Sequence, residues 1–403
     1  METTAGLIDG MRDAGVERIR FKSDGTSIRV LGEREDAGWE LAEVLIPDAS
    51  ALLADIEQRV ALGGHERLDV VFREATGLRF FCAVHSSAAG PGAGGLRRCD
   101  LVVPETDVIQ DVLNLSRAMS YKNLAAEVGR GGSKLCFHNP PIPPYDREAW
   151  LEALAEEIDL SGTITGPDSG LSREDILDLA ARTSNVTGTR AGGTSVSAAF
   201  GVHEAVQATA AALGSPVNEL HLVVQGLGSL GAPLAEQLAK EGAQLTVTDQ
   251  DHRRIDLLLS ALTPGERRQV GVVAPYQALD VEADILVPCA VGGLLDTAVA
   301  RTLKCRAICG GANNQLVGSS LAEELDAARA LHDAGVLFVP DWLASAGGTI
   351  HGTMEARDGD EFDLRKAHAR IRRVCGWMVD ELLERAKRTG RVPLEMAVER
   401  WLP

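Results

Sequence analysis

No stretch of this chain offers 18 successive apolar residues, and its first residues lack a cationic, apolar leader. Neither a membrane span nor a secretory signal is expected. Positive charge is in deficit. Forty Lys and Arg face 58 Asp and Glu, a formal net charge of −18, which argues against nucleic acid or a membrane surface as the main partner. Metal-ligand spacing is missing too: the nine histidines form no H-x-x-x-H pair, so no metal site is expected. The seven cysteines, Cys82, Cys99, Cys136, Cys289, Cys305, Cys309 and Cys375, are odd in number and scattered. That argues against a disulfide or zinc framework and suits small buried hydrophobes in a reducing cytoplasm. Aromatics make up only 4%, whereas Gly and Ala are plentiful, which suits closely packed α/β layers. With 403 residues, 45% of them hydrophobic, two filled domains are expected and three at most.

What is present concentrates in Leu220 to Asp249, LHLVVQGLGSLGAPLAEQLAKEGAQLTVTD. Leu220, Leu222, Val223 and Val224 make a short apolar run, the mark of a buried parallel strand. Gly226, Gly228 and Gly231 follow at G-x-G-x-x-G spacing. The first permits a tight turn, the second lets backbone approach a pyrophosphate, and the third lets the next helix pack close to the strand. That helix carries Leu230, Leu234 and Leu238 on one face. A second strand, Gln244–Thr248, ends at Asp249, where a carboxylate accepts hydrogen bonds from a ribose and repels a 2′-phosphate. The expected cofactor is therefore NAD rather than NADP.

Downstream, short apolar runs alternate with helical stretches. Strands are expected at Leu220–Gln225, Gln244–Thr248, Gly271–Val273, Asp284–Val287, Arg306–Cys309 and Val336–Val339, a doubly wound parallel sheet. GLGSLG, TDQD, PCAVGG, GGANNQ and PDWLASAGG would then gather at one end of it, where such sheets bind ligands. Upstream, Ala51 to Leu62 reads as a helix, Leu68–Phe72 and Leu78–His85 as strands, and Thr106 as the N-cap of a helix carrying Val108, Val112, Leu115 and Met119. Asn139 to Pro144 is a stiff connector. Near the C-terminus Leu364, Ala367, Ile371, Val374 and Met378 mark a long amphipathic helix with Gly390 as its stop. In the first fifty residues Val16-Glu17-Arg18-Ile19 faintly echoes His65-Glu66-Arg67-Leu68. Sequence alone leaves a degenerate repeat and chance both open.

Two lysines stand out. Lys122 follows the apolar stripe in AMSYK, and Lys134 closes GGSK before the apolar run Leu135-Cys136-Phe137. A lysine forced into apolar surroundings is expected to titrate low, and so to hold an anion or take a proton. Asp168, in TGPDSG, is either a turn aspartate or a carboxylate paired with Lys134.

AMSYK, GGSK, TGPDSG, GLGSLG with TVTD, PCAVGG, GGANNQL and PDWLASAGGTI occur in the order found in the glutamate, leucine, phenylalanine and valine dehydrogenase superfamily. The chain resembles that superfamily from about Ala51 onward, its leucine, phenylalanine and tryptophan branch most. The resemblance implies a two-domain amino-acid dehydrogenase fold. A substrate-binding and oligomerisation domain would span 51–195, completed by C-terminal helices in 360–403, and an NAD-binding Rossmann domain 196–350. It implies a homo-oligomer and NAD-dependent oxidative deamination of an L-2-amino acid to a 2-oxo acid and ammonia. By the same resemblance Lys122, helped by the N–H groups of Gly94 and Gly95, binds the substrate carboxylate. Lys134 is the general base, and Asp168 tunes it and shuttles protons. Asn313 and Asn314 orient nicotinamide and substrate. Ser229, Leu230, Ala290 and Val291 join the three glycines and Asp249 around the cofactor. Residues 1–50 fall outside the resemblance and are expected to form a small appended α/β element near a subunit contact.

The chain departs from the family in several places. Ser133 replaces a third glycine before the base, and Ser120 replaces a threonine. Ala198 stands where a threonine helps hold the nicotinamide amide, with Ser197, one position away, as the expected substitute. Four pocket positions fall on Ala93, Gly166, Thr349 and Gly352, where leucine-specific relatives resemble Leu, Ala, Val and Val. Three are smaller here, which implies a cavity for a bulky or aromatic side chain unless other residues refill it. Two other readings remain open at this stage: a non-catalytic nucleotide- or amino-acid-binding paralogue, and a hydroxy-acid oxidoreductase with His351 as its base.

Overall fold

Two stretches of chain with different hydrophobic periodicity build two separate bodies. The computed structural model describes residues 6–25, 27–34, 38–40, 50–140, 145–189, 193–290 and 292–402. One unit comprises Met1–Asn123 and Gly129–Thr189, the other Leu124–Val128 and Arg190–Pro403. No described helix is long and apolar enough to cross a membrane.

In the first unit, inward–outward alternation makes one mixed sheet with two covered faces. Its strands are β1 (Arg18–Ser23), β2 (Ile28–Arg34), β3 (Gly38–Glu40), β4 (Arg67–Arg73), β5 (Leu78–Ser86), β6 (Gly92–Ala93), β7 (Leu96–Cys99) and β8 (Gly131–His138). They lie in the order β3-β2-β1-β4-β5-β8-β6, with β7 also on β8. Strands β6 and β7 run parallel to β8, and the remaining pairs are antiparallel. On one face Ile19, Phe21, Leu68, Val70 and Phe81 pack against α1 (Leu7–Asp13), α2 (Ser50–Leu62) and α3 (Glu105–Ala125). On the other Val71, Phe80, Leu135 and Phe137 pack against α4 (Arg147–Ser161) and α5 (Arg173–Ala180).

The first fifty residues are therefore not an appendage. They supply three strands of this sheet, and the buried Glu157 of α4 ties Arg18 of β1 to Arg73 of β4 at 2.5 Å each. Thr106 is not a cap. Helix α3 begins at Glu105, and the carbonyl of Pro104 accepts from Asp107 and Val108. Glu105 instead reaches the start of α1, accepting from the Ile8 N–H at 3.0 Å. Of the proline-rich connector, 141–144 lie outside the described residues.

The second unit holds β9 (His221–Gln225), β10 (Gln244–Thr248), β11 (Val270–Val272), β12 (Ala283–Pro288), β13 (Cys305–Ile308) and β14 (Leu337–Phe338). All six expected strands are there, within one or two residues at most of their ends. They form one parallel sheet ordered β11-β10-β9-β12-β13-β14. Because every strand points the same way, the five distinctive runs follow the carboxyl ends of β9, β10, β12, β13 and β14. Helix α6 (Gly193–Leu213) precedes the sheet, and α7 (Gly231–Lys240) follows β9.

The C-terminal helices belong to this second unit, not to the first as expected. Leu364–Ile371 and Met378–Thr389 run on through one widened turn, Arg372–Trp377, and pack along α6. Phe200 of α6 stacks on His368 at 4.4 Å, and Arg372 pairs with Glu204 at 3.2 Å. A side chain at Gly201 would meet the Cys375 sulfur at 3.0 Å, so the small residue is what lets the helices close. Gly390 ends the run in a left-handed conformation, as the sequence suggested.

Candidate active site

In the first unit, Lys134 is set by its strand. Every residue of β8 is buried, and the Lys134 ammonium donates to Asp168 Oδ2. Asp168 arrives on an extended segment clipped to the 93–96 stretch. Leu96 N donates to Gly166 O at 2.8 Å, and Ile164 pairs with Ala93. Arg97, which the sequence reading missed, completes the cluster. Its Nε donates to Asp168 Oδ2 at 3.2 Å and its Nη1 to Asp111 Oδ2 at 2.6 Å. Its only sequence signal was its place two residues beyond the Gly94-Gly95 pair. Burial alone would raise the Asp168 pKa, but the charge of Lys134 and then that of Arg97 outweigh it and hold the carboxyl well below the ordinary range.

Small residues decide what surrounds the ammonium. A Cβ at Gly95 would stand 3.0 Å from Lys134 Nζ and 3.0 Å from Asp168 Cβ. Glycine there leaves the amine room for a small molecule. A side chain at Gly132 would strike Ser120 at 2.2 Å, so this glycine lets α3, with the buried Lys122, lie directly on β8. Asn123 fastens the same helix end, donating to the carbonyls of Ala93 at 3.1 Å and Gly131 at 2.6 Å. Ser133 fits because position 92 is glycine: a Cβ there would be 2.9 Å from Ser133 Cβ.

The two glycine amides do not match. Gly94 N donates to Ile164 O at 3.1 Å, so it is already committed and does not serve as an anion donor. The Gly95 N–H has no such bond among the described residues. Thr187 stands beside one of the expected pocket positions. A Cβ at Gly166 would meet Thr187 Oγ1 at 3.2 Å, so Thr187 takes back part of the space that glycine releases.

In the second unit the glycine turn has three distinct geometries. Gly226 sits at φ 96°, donates to Thr248 O at 2.8 Å and packs on Ala290. Gly228 faces open space apart from Arg254 Nη1 at 3.8 Å, which suits close approach of a ligand to backbone. At Gly231 a Cβ would lie 2.0 Å from Gly226 O, so α7 starts against the turn. Ser229 is exposed and Leu230 caps α7. These features fit a dinucleotide pyrophosphate. Asp249 is pinned, accepting from Leu227 N at 2.7 Å and Asp251 N at 2.8 Å. Each carboxylate oxygen keeps a further lone pair for a ribose hydroxyl. Arg254, also unforeseen, lies 3.5 Å from Asp249 Oδ2.

Asn314 has φ 52°, uncommon for a residue with a side chain. Asp341 holds it there by accepting from its N–H at 2.7 Å, and Gly293 N donates to its carbonyl at 2.6 Å. A side chain at Gly292 would strike Asn313 O at 2.0 Å, so the PCAVGG and GGANNQ loops are locked together. Val291 lies outside the described residues.

Ser197 is a correction. It is 1% exposed, and its hydroxyl is paired with His351 Nδ1 at 2.7 Å inside the packing of α6 on the helix Gly347–Asp358. It is not available to a nicotinamide. Ala198, half-buried on α6, faces Gly348 of the same helix crossing, where even an added Cβ would lie 3.5 Å from its own. The same helix carries Thr349 and the buried Gly352. His351 is fully buried, and its Nδ1 is the atom that meets the Ser197 hydroxyl.

A model of the Glutamate/Leucine/Phenylalanine/Valine dehydrogenase family matches residues 188–398. A valine dehydrogenase of Streptomyces virginiae is 34% identical over 318 residues, covering 76% of this chain and 85% of that one. The chain belongs to this dehydrogenase family. A phenylalanine dehydrogenase of Caldalkalibacillus thermarum is 35% identical over 296 residues, 71% of this chain and 77% of that one. The solved L-tryptophan dehydrogenase from Nostoc punctiforme superposes with a TM-score of 0.63 at 26% identity, over 85% of this chain and 96% of that chain. This protein is thus an amino-acid dehydrogenase, an enzyme of the NAD(P) class.

The Asp168 charge sets a pH test for the dehydrogenase. A carboxyl whose folded pKa is depressed stabilises the fold above its unfolded value, about 4, and loses that contribution as pH falls toward the folded value. The stability gap between the wild type and Asp168→Asn is expected to shrink as urea midpoints are taken below pH 4. A gap constant down to pH 2 would mean that Asp168 is not held ionised by its neighbours.

Proposed function

We propose that this enzyme carries out NAD-dependent oxidative deamination of an L-2-amino acid with a bulky hydrophobic or aromatic side chain, and the reverse reductive amination, as a homo-oligomer. The observation that carries the reading is the Lys134–Asp168–Arg97 cluster beside the side-chain-free Gly95. The relatives named valine, phenylalanine and tryptophan dehydrogenase support it.

In this reading Lys122 and the Gly95 N–H hold the substrate carboxylate and fix the α-carbon. Lys134 takes the proton of a water adding to the imino carbon, and Asp168 relays protons to and from the amino group. Arg97 keeps Asp168 ionised and aimed at Lys134. Gly226, Gly228, Ser229, Leu230, Gly231 and Ala290 would hold the dinucleotide, Asp249 its ribose, and Asn313 and Asn314 the reacting groups. When bound, the nicotinamide supplies the hydride acceptor. The small side chain of Ala93 favours a large substrate side chain, and Thr187 trims the space beside Gly166.

NADH oxidation with a panel of 2-oxo acids tests the reading. Activity is expected only with ammonium, higher kcat/KM for aromatic 2-oxo acids than for 2-oxoisovalerate, and a loss of about a hundredfold or more in kcat for Lys134→Ala. Turnover without ammonium, or near-normal turnover by Lys134→Ala, would contradict it. Arg254 favours a second reading of cofactor choice, because an arginine near the ribose acid can receive a 2′-phosphate. Wild-type enzyme is expected to prefer NAD, and Asp249→Ala to narrow the gap to NADP. Equal use of both cofactors by the wild type would show that Arg254 outweighs Asp249.

A further inference from the structure

The α1-β1-β2 segment is built like α2-β4-β5 at a constant offset of 49 residues. The two helices end at Asp13 and Leu62, and glycines at positive φ follow, Gly15 at 64° and Gly64 at 71°. Three backbone hydrogen bonds repeat. Ala14 to Gly10, Gly15 to Arg12 and Val16 to Met11 correspond to Gly63 to Arg59, Gly64 to Ala61 and His65 to Val60. The strands then open at Arg18 and Arg67. Leu7, Met11, Ile19 and Phe21 correspond to Ile56, Val60, Leu68 and Val70, and all eight are buried in one core. The faint echo in the sequence is thus a repeat, preserved in geometry more than in residue identity.

The two copies face each other across a local dyad. Strands β1 and β4 are antiparallel, pairing Arg18 with Val71, Ile19 with Val70, Arg20 with Asp69, Phe21 with Leu68 and Lys22 with Arg67. Exchanging the copies converts each pair into another of the same set, and Arg20–Asp69 into itself. The bonds at the two ends are equally reciprocal: Ser23 N donates to Glu66 O, and Phe72 N to Glu17 O. The helices cross over in the same way, α1 against β4 and α2 against β1. This is an isologous contact, the form two identical subunits make, contained within one chain.

Charge breaks the symmetry at its axis. Arg20 donates to both carboxylate oxygens of Asp69, at 2.5 and 3.0 Å, and the Asp69 side chain is 1% exposed. Were β4 to pair with β4 of another chain in this register, Asp69 would face Asp69. Two copies of β1 would oppose Arg20 to Arg20. Like charges directly opposite destabilise paired strands, and a buried charge without its partner costs more. Only the mixed pairing sets opposite charges against each other at the axis, where Arg67 of β4 also stands 3.3 Å from Asp69 Oδ2.

We propose that the α1-β1-β2 segment is a built-in stand-in for a second copy of this chain. Its strand β1 occupies the β4 edge that another copy would otherwise take, and the Arg20–Asp69 pair reserves that edge for the intramolecular partner. This inference does not depend on the catalytic reading.

Cross-linking of the full-length chain tests it. Ser23→Cys with Glu66→Cys places one thiol at the end of β1 and the other just before β4, where Ser23 N donates to Glu66 O. Oxidation is expected to close single chains, with no covalent dimer on a denaturing gel. Two further chains carry the same thiols, one with Asp69→Arg and one with Arg20→Asp. Each has like charges at its own axis, but Arg20 of the first suits Asp69 of the second. Co-expressed, they are expected to give covalent heterodimers at least tenfold in excess of closed single chains. Arg20→Asp combined with Asp69→Arg in one chain is expected to restore closure within the chain. Covalent dimers in the otherwise wild-type background would overturn the stand-in. Single-chain closure in the co-expressed pair would overturn the charge lock.

Discussion

The ionised Asp168 held between Lys134 and Arg97 is the interaction on which the first unit's chemistry rests. A buried lysine is costly unless a carboxylate faces it, and a buried carboxylate is costly unless cations outnumber its losses. Here the carboxylate meets two cations, and the second, Arg97, is itself shared with Asp111. The extended 164–167 segment, the parallel strands β6 and β7 and the all-buried β8 bring these groups together. None of those elements is justified by local propensity alone. They hold because the strand ladder and the ion cluster satisfy each other.

Close approach is the matching constraint in the second unit. Gly231 lets α7 start against the Gly226 carbonyl, Gly292 lets one loop lie on the backbone of Asn313, and Gly347 brings its helix onto the Ser197 carbonyl at a spacing no side chain permits. Such contacts fix the loops backbone to backbone, and the Asp341 carboxylate adds a side-chain clasp on the Asn314 N–H.

Much of this was legible in the sequence. Parallel buried strands read as continuous apolar runs, so all six strands of the second sheet were found, and G-x-G-x-x-G spacing located the turn. A pairing of Lys134 with Asp168 was one of two readings that the neighbours of Asp168 left open, and the structure makes it. What escaped depends on contacts between distant residues. Arg97 and Asp111 look like ordinary surface charges until β7 and α3 place them beside Asp168. Gly94 and Gly95 are indistinguishable in sequence, yet only one spends its N–H on Ile164. Ser197 looked free until the C-terminal half of the chain supplied His351. The C-terminal helices read correctly as amphipathic, but a hydrophobic face does not say which body it covers.

Asp168 is shared by two cations, Lys134 and Arg97. Arg97→Ala removes one of them and changes the net charge beside Lys134 by one unit. The direct measurement is the pH profile of kcat/KM for oxidative deamination in wild type and Arg97→Ala. The rising limb is expected to move to higher pH in the variant, with turnover recovered in part at alkaline pH. A limb that stays in place, with activity lowered equally at every pH, would contradict it.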